Sequence, residues 1–282
     1  MKNSFKILYL LVLIIVSNTD MFSQTTKIMS YNIRYDNPND GINKWENRKN
    51  AVLGIIEKYQ PDILGLQEGL HHQIKYLDSC LSDYKFIGVG RADGKLKGEF
   101  SPIFYDTTKF SVVEKSTFWL SEQSDIISVG WDAALERICT YGLFEHNDTK
   151  NRFWVFNTHF DHIGVKAREM SAKLILSKIT ALNKNDFPVI LMGDLNSEPN
   201  SKPIEIISEK LTDGITISKK PFVGPLETFT SFSLNLNANK RIDYIFVKDL
   251  TIFSYAHIDN KMKNNNYISD HLPILMNVSL SN

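Results

Sequence analysis

The sequence predicts an α/β fold in which mixed β-sheets pack together and helices cover them on the outside. Strand-like segments outnumber helix-like ones, and hairpin-like neighbours alternate with longer crossovers. Residues 187–192 form a continuous apolar run, which is typical of a strand buried on both faces. The same pattern argues against a singly wound parallel sheet.

The predicted elements follow one another without a repeat or a low-complexity tract. Residues 27–34 alternate between two faces, as a first strand would. A helix over 45–59 must end before Pro61, because the residue preceding a proline disfavours helical geometry. An amphipathic helix is expected over 166–183, with Ala167, Met170 and Leu174 on one face, bordered by Ile175, Ile179 and Leu182. Further strands are predicted at 62–67, 84–89, 103–105, 110–120, 138–144, 153–158, 187–192, 242–247, 251–257 and 272–279, and further helices at 70–81 and 203–210.

The N-terminus carries the pattern of a secretory signal peptide. Basic residues precede ten apolar residues at 7–16, and a small residue follows at Ser23. This run is too short to span a bilayer, which needs about 20 residues. A buried N-terminal strand is the alternative interpretation. We expect a cleaved leader at 1–23 and a single domain at 24–282, secreted or periplasmic, with no transmembrane segment.

Charge and cysteine content narrow the function classes. The whole chain has a net charge of 0, and loss of Lys2, Lys6 and Asp20 with the leader leaves −1. Proteins that neutralise many DNA phosphates are usually basic, so tight nucleic-acid binding is disfavoured, although a nuclease that binds loosely or through metal ions is compatible. Cys80 and Cys139 are the only cysteines, and both a disulfide and two buried thiols remain open.

Polar side chains fall where apolar strands are predicted to end. Taken singly, each is an ordinary turn or cap residue. Together they are notable, because strand ends can converge on one crevice, and gathered carboxylates and imidazoles are costly unless they bind something. The set comprises Asn32, Glu68, Asn157, His159, Asp161, Asp194, Asn196, Asp243, Asp270 and His271.

The residue types in this set indicate metal-dependent phosphoester hydrolysis. Oxygen ligands from Asp, Glu and Asn suit Mg²⁺, with Mn²⁺ or Ca²⁺ as alternatives, rather than zinc. Such a cation neutralises phosphate oxygens and stabilises the leaving oxygen. A histidine held by an aspartate can take a proton from water near neutral pH. The chain has no nucleophilic Ser or Cys motif and no glycine-rich phosphate loop.

Six short motifs occur in a characteristic order between residues 27 and 278. They are SYNI at 30–33, LQE at 66–68, NTH at 157–159, GDLN at 193–196, RIDYI at 241–245 and SDH at 269–271. The ordered set resembles the endonuclease/exonuclease/phosphatase superfamily, which includes deoxyribonucleases, abasic-site endonucleases, inositol-polyphosphate 5-phosphatases and sphingomyelinases. The resemblance implies a secreted, bacterial-type member with the deoxyribonuclease-I-like fold, a four-layer sandwich of two mixed β-sheets flanked by helices.

The resemblance also implies metal-binding and acid–base roles for matched residues. Glu68 is the expected main metal carboxylate, with Asn32 and Asp270 close to the cation or its waters. His271, oriented by Asp243, is expected to act as a general base or as a phosphate contact.

Three further matches concern the attacking water and the transition state. Asp194 would position or deprotonate the water, or hold a second cation. Asn196 would donate a hydrogen bond to the phosphorane-like transition state. His159 matches the second histidine of the deoxyribonuclease and sphingomyelinase branches, as a phosphate contact or proton donor.

Substrate contacts are expected from residues around the motifs. Asn157, Arg137 and Trp131 are the candidates, although Arg137 could instead pair with a structural carboxylate. By resemblance, Trp45, Arg48 and residues 91–100 should rim the cleft.

The leading hypothesis is therefore an exported, monomeric hydrolase of phosphomonoesters or phosphodiesters, with small or lipid-linked substrates favoured by the neutral charge. A secreted endonuclease is the main alternative. An intracellular repair nuclease is disfavoured by the leader, and a non-catalytic binding protein by the complete set of motif residues.

Overall fold

Two mixed β-sheets of six strands each form the centre of the molecule, within residues 25–234 and 240–280, which the computed structural model describes. The first sheet contains β1 (Thr25–Asn32), β2 (Ile63–Gln67), β3 (Tyr84–Ile87), β4 (Ile103–Asp106), β11 (Thr251–His257) and β12 (Ile274–Ser279), in the order β11-β12-β1-β2-β4-β3. The second contains β5 (Phe110–Trp119), β6 (Ile138–His146), β7 (Arg152–His159), β8 (Val189–Asp194), β9 (Thr212–Asp213) and β10 (Asp243–Lys248), in the order β5-β6-β7-β8-β10-β9.

Helices lie on the outer face of each sheet. They are α1 (Trp45–Tyr59), α2 (His71–Cys80), α3 (Val165–Leu182) and α4 (Lys202–Ser208), with short 3₁₀ helices at Pro38–Asn43 and Gly214–Thr216. One apolar layer lies between the sheets, where side chains such as Ile28 and Ile190 meet. A second layer joins the first sheet to α1 and α2, and a third joins the second sheet to α3 and α4. The predicted four-layer sandwich is therefore confirmed.

Most predicted elements are present, with small shifts at their ends. The helix at 45–59 has the predicted bounds, whereas β8 runs to Asp194 because that residue still pairs with β7 and β10. The buried face of α3 is rotated slightly from the predicted one. Ala167, Ile175 and Ile179 are buried as part of it, whereas Met170 and Leu174 are only partly covered and Ser171 and Ala172 take their place.

The two cysteines are both free, which excludes a disulfide between them. Cys139 is buried in β6, and burial raises the pKa of its thiol well above the usual value. The expectation of burial is wrong for Cys80, which is exposed because it ends α2 on the solvent side.

Two expectations concern the membrane. The proposed leader at 1–23 lies outside the described residues. Among the residues that the structure describes, no helix has both the length and the apolar character to cross a bilayer.

Candidate functional site

Strand register brings three of the predicted residues side by side at one end of the second sheet. Parallel pairing of β7 with β8 places His159 opposite Asp194. Antiparallel pairing of β10 with β8 places Asp243 opposite the same Asp194. The three polar side chains therefore share an edge because backbone hydrogen bonds fix their strands.

The first sheet contributes two residues from neighbouring parallel strands. Asn32 ends β1 and pairs in register with Gln67, so Glu68 follows directly at the same edge. Glu68 has a left-handed φ of 65°, which is uncommon for a residue with a side chain. The Asn32 amide Nδ2 donates to Glu68 Oε1 at 3.1 Å and to Asp194 Oδ2 at 3.0 Å. The strand ends of both sheets thus meet at one point.

A candidate cation site lies at this meeting point. Glu68, Asp194 and His271 each offer one ligand atom, and these atoms lie within 4.8 Å of one another. Burial, together with Asp243, raises the pKa of Asp194 to about 7, and burial raises the pKa of Asp270 to about 6, with Glu68 adding to the effect. Too little positive charge surrounds these carboxylates to keep their pKa values low, and a divalent cation would supply that charge. The donor set, rich in oxygen, fits such an ion.

The two site histidines flank Asp194 in opposite electrostatic environments. His271 Nε2 lies 3.6 Å from Asp194 Oδ2, and His159 Nε2 lies 3.5 Å from the same oxygen. Burial opposes the charged form of His271, but Asp243 and Asp194 outweigh it and raise its pKa well above the usual value. His271 Nδ1 is 2.8 Å from Asp243 Oδ2, so the imidazole is held by that carboxylate. The two carboxylates therefore favour the charged form of this imidazole when no cation is bound.

The surroundings of His159 favour its neutral form. Burial lowers its pKa well below the usual value, and the guanidinium of Arg137 adds to the effect. Asn196 Nδ2 is 3.1 Å from His159 Nε2 and 3.0 Å from Phe160 O. Since an amide NH₂ donates, Nε2 accepts and the proton of the neutral ring lies on Nδ1. That Nδ1 is buried without a hydrogen-bond partner.

Glu99 is a site residue that the motif analysis did not single out. Its Oε2 lies 3.8 Å from His159 Nδ1, and Arg91 holds the carboxylate with two bonds of 2.8 and 2.9 Å. Burial raises the pKa of Glu99 to about 7, although Arg91 opposes the shift. Residues 91–100 were expected to rim the cleft, and Glu99 does line it, although no strand end marks its position within that range.

Of the three predicted substrate contacts, Arg137 is the one that lines the cleft. Its Nε lies 3.3 Å from Asp161 Oδ2, and its Nη2 lies 2.9 Å from His162 Nδ1. Its Nη1 is buried and has no hydrogen-bond partner. Arg137 is therefore both paired with a structural carboxylate and able to donate to a ligand.

The expectation that Asn157 binds substrate is wrong, because its side chain is fully buried between the sheets. Its Nδ2 donates to Leu66 O and Pro102 O at 2.8 Å each, and its Oδ1 accepts from Gln67 at 2.7 Å. Asn157 instead connects the two sheets behind the site.

Three other residues expected at the cleft lie elsewhere. Trp131 is absent from the cleft lining, and its backbone N–H donates to Glu122 at 3.1 Å. Trp45 and Arg48 are buried. The guanidinium Nη1 of Arg48 donates to Ile33 O at 3.0 Å and to Ile268 O at 2.9 Å, so it holds motif segments together from behind.

The site opens into one cleft of about 1000 Å³. Five basic and seven acidic side chains line it, so acidic groups slightly outnumber basic ones before any cation binds. The basic ones are Arg34, Arg137, Arg168, Lys202 and Lys240; the acidic ones are Asp40, Glu68, Glu99, Glu169, Asp194, Glu198 and Asp270.

The four-layer fold and the carboxylate–histidine cluster define the class of metal-dependent phosphoesterases. The profile of the Endonuclease/Exonuclease/phosphatase family matches residues 29–271, and the chain belongs to that family. It is accordingly a metal-dependent hydrolase of phosphoester bonds.

Solved structures and a curated sequence resemble this chain over most of its length. An endonuclease/exonuclease/phosphatase from Bacteroides vulgatus is 36% identical with a TM-score of 0.87, covering 91% of this chain and 99% of that one. A mannosyl-6-phosphatase from Bacteroides thetaiotaomicron is 37% identical with a TM-score of 0.85, covering 90% and 99%. An uncharacterized protein of Acanthamoeba polyphaga mimivirus is 26% identical, and the match covers 83% of this chain and 92% of that protein.

Proposed function

We propose that this protein is an exported phosphoesterase that uses a divalent cation, preferably Mg²⁺, to release phosphate from a small sugar phosphate. The observation that carries the proposal is the placement of Asp194 between the imidazoles of His271 and His159, at 3.6 and 3.5 Å, beside Glu68. Within one small volume, this arrangement offers a proton acceptor, hydrogen-bond donors and a cation site.

Glu68 and Asp194 would hold the cation, with Asn32 and Asp270 close to it or to its waters. When bound, the ion would neutralise phosphoryl oxygens and the charge that develops on the leaving oxygen. Deprotonation of Asp194 and Asp270, whose pKa values are raised in its absence, would accompany binding.

The remaining groups can act on the water and on the phosphoryl oxygens. Asp194 can orient the attacking water and accept its proton, because its raised pKa makes it a stronger base than an ordinary carboxylate. His271, held by Asp243, can donate a charge-assisted hydrogen bond to a phosphoryl oxygen. His159 and Asn196 line the same space as neutral polar contacts for the transition state.

Two observations support a small substrate over nucleic acid. The cleft lacks the excess of basic side chains on which affinity for many phosphates depends. The relative from Bacteroides thetaiotaomicron, at 37% identity, is named a mannosyl-6-phosphatase. A sugar phosphate is therefore the first substrate class to test.

Export is supported by the sequence alone. Basic residues, a short apolar run and Ser23 have the order expected of a cleaved leader. Cell fractionation with N-terminal sequencing tests this part: recovery from the periplasm or medium, with a new N-terminus near Gln24, is expected. Recovery of the uncleaved chain from the cytoplasm would overturn it.

The function itself is tested by a panel of substrates presented to the purified protein with Mg²⁺, Mn²⁺, Ca²⁺ or EDTA. The panel contains mannose 6-phosphate, glycerol 3-phosphate, a phosphodiester, sphingomyelin, RNA and plasmid DNA. Phosphate release from the monoesters should require a cation and should be lost in Glu68→Gln. Glu169→Gln is the matched control, because Glu169 also lines the cleft but pairs with Lys173 at its exposed edge.

Other outcomes of the panel would redirect the assignment. Nicking of plasmid DNA without release from monoesters would establish the endonuclease alternative. No turnover of any class, with cation binding intact, would favour a binding protein on the same scaffold.

A further inference from the structure

A short loop beside the site has an unusual backbone conformation. Ser231 and Phe232 are consecutive residues with left-handed φ angles of 51° and 58°. This region is disfavoured for side-chain-bearing residues, and for a bulky aromatic one in particular. Strained conformations persist only where the surroundings enforce them, and they concentrate at ligand-binding positions.

The loop is attached directly to the segment that carries the site. The Thr230 backbone N–H donates to Asp270 O at 2.7 Å, and its hydroxyl donates to the same oxygen at 3.1 Å. The Phe232 N–H donates in turn to Thr230 Oγ1 at 3.2 Å. The Phe229 ring packs against the imidazole of His271, with 4.9 Å between ring centroids. The position of Phe232 is therefore fixed relative to the reacting centre.

Arg48 supports the Phe232 ring from behind. Its guanidinium lies 5.3 Å from the ring centroid, within cation–π range. Arg48 is itself fully buried and donates to backbone carbonyls, including those of Ile33 and Ile268. Phe232 is nevertheless only partly buried, and it lines the cleft. A buried, hydrogen-bonded guanidinium thus lies against an aromatic ring that lines the cleft.

The cleft lining differs in chemistry between its two parts. One part contains Arg137, which lies just before β6, pairs with Asp161 just after β7 and has an N–H without a hydrogen-bond partner, and this part suits phosphoryl oxygens. The other part contains the Phe232 loop, which is hydrogen-bonded to Asp270 O, and Tyr35, whose N–H donates to Glu68 Oε2 at 3.1 Å. This division assigns the phosphoryl group to the first part and the organic part of the substrate to the second.

The chemistry of the second part fits a sugar ring. A pyranose has a face of C–H groups that packs on an aromatic ring, and a rim of hydroxyls that needs polar partners. Asp40, which pairs with Arg34, and Lys240, which pairs with Glu198, also line the cleft and offer polar groups to those hydroxyls. Tyr35 adds a second aromatic ring, over which Arg34 lies at 4.7 Å.

We infer that Phe232 is a specificity-determining residue, which stacks against the sugar ring of the leaving group and selects cyclic sugar phosphates over acyclic phosphomonoesters. This inference rests on the proposed phosphatase function and extends it to the leaving-group side of the cleft.

The test compares mannose 6-phosphate with glycerol 3-phosphate, which has no ring, for wild type, Phe232→Ala, Phe232→Leu and Phe232→Tyr. For mannose 6-phosphate, Phe232→Ala should raise KM by roughly 3- to 10-fold with little change in kcat, as expected for one aromatic contact. Its kcat/KM for glycerol 3-phosphate should change less than about twofold, since that substrate lacks the stacking partner. Phe232→Tyr should retain the preference, and Phe232→Leu should lose it.

Phe222→Ala is the matched control, because Phe222 is also partly buried but packs on His257 outside the cleft. Its substrate preference should equal that of the wild type. Equal losses on both substrates in Phe232→Ala, or no loss on mannose 6-phosphate, would overturn the inference while leaving the phosphatase function in place. If the wild type hydrolysed neither substrate, the proposed function would fail, and this inference with it.

Discussion

The amide of Asn32 donates a 3.0 Å hydrogen bond to the carboxylate of Asp194, across a sequence separation of 162 residues. Asn32 ends β1 of the first sheet and Asp194 ends β8 of the second. The site is therefore built on the seam between the sheets, and its geometry depends on how they pack. Glu68 follows a strand of the first sheet, whereas Asp194 ends a strand of the second.

Asp194→Asn should lower kcat by at least about 100-fold, because the amide cannot accept the proton of the attacking water. KM should change much less, since the contacts that hold the substrate remain. Steady-state kinetics on the best substrate checks this, with Asp249→Asn, on an exposed turn far from the cleft lining, as control. A kcat within threefold of the wild type would exclude Asp194 from the proton-transfer step.

Asp243→Asn should shift the alkaline limb of the pH–rate profile to lower pH. Asp243 and Asp194 raise the pKa of His271, so loss of one carboxylate lowers that pKa. The imidazole then loses its proton at a lower pH. The measurement is kcat/KM between pH 5 and 10. A shift of the acidic limb instead would mean that His271 acts as the neutral base rather than as the charged phosphate contact.

The stabilisation of the protein by a divalent cation should increase as pH rises from 5 to 8. The folded-state pKa values of Asp194 and Asp270 are raised from 3.8 to about 7 and about 6. Without a cation, both groups therefore favour folding at low pH and lose that contribution as pH rises through this window.

Cation binding has the opposite dependence on pH, because it requires the same carboxylates in their ionised forms. The stabilisation that the cation adds therefore grows as pH rises. The difference in Tm with and without Mg²⁺, measured at several pH values, checks the prediction. In Asp194→Asn the difference should be smaller and should depend less on pH. A difference that is independent of pH in the wild type would show that the cation binds elsewhere.

Gly193→Ala should destabilise the fold by more than about 2 kcal/mol, because a β-carbon would add both strain and overlap. Gly193 has a φ of 145°, and an added Cβ would lie 1.9 Å from Thr158 O in the neighbouring strand. Gly54→Ala is the contrasting variant, in the middle of α1, where nothing lies within 4 Å of an added Cβ. It should stabilise the protein by about 0.5–1 kcal/mol. Urea denaturation measures both, and a Gly193→Ala midpoint equal to that of the wild type would contradict the packing account.

Much of the fold and most of the cluster could be predicted, because periodicity marks buried strands and six motifs mark their ends. Asn157 shows where this reasoning fails. It shares a strand face with His159, yet only the last residue of β7 reaches the cleft, and Asn157 lies between the sheets. Alternation assigns a face to a residue but does not indicate its depth along the strand.

Loop residues were harder to predict than strand residues. Glu99 and Phe232 reach the cleft through loop conformations that no hydrophobic period encodes. The left-handed φ at Phe232 has no sequence signature either, since Gly and Asn are the residues that usually signal it.

The most direct test of the account is the initial rate of phosphate release from mannose 6-phosphate by the purified protein in Mg²⁺, after EDTA, and after Mg²⁺ is restored. We predict turnover that EDTA abolishes and restored Mg²⁺ recovers, and that Glu68→Gln lacks under all three conditions. Turnover that persists in EDTA, or a Glu68→Gln variant as active as the wild type, would contradict the assignment of this cluster as a metal-dependent phosphatase site.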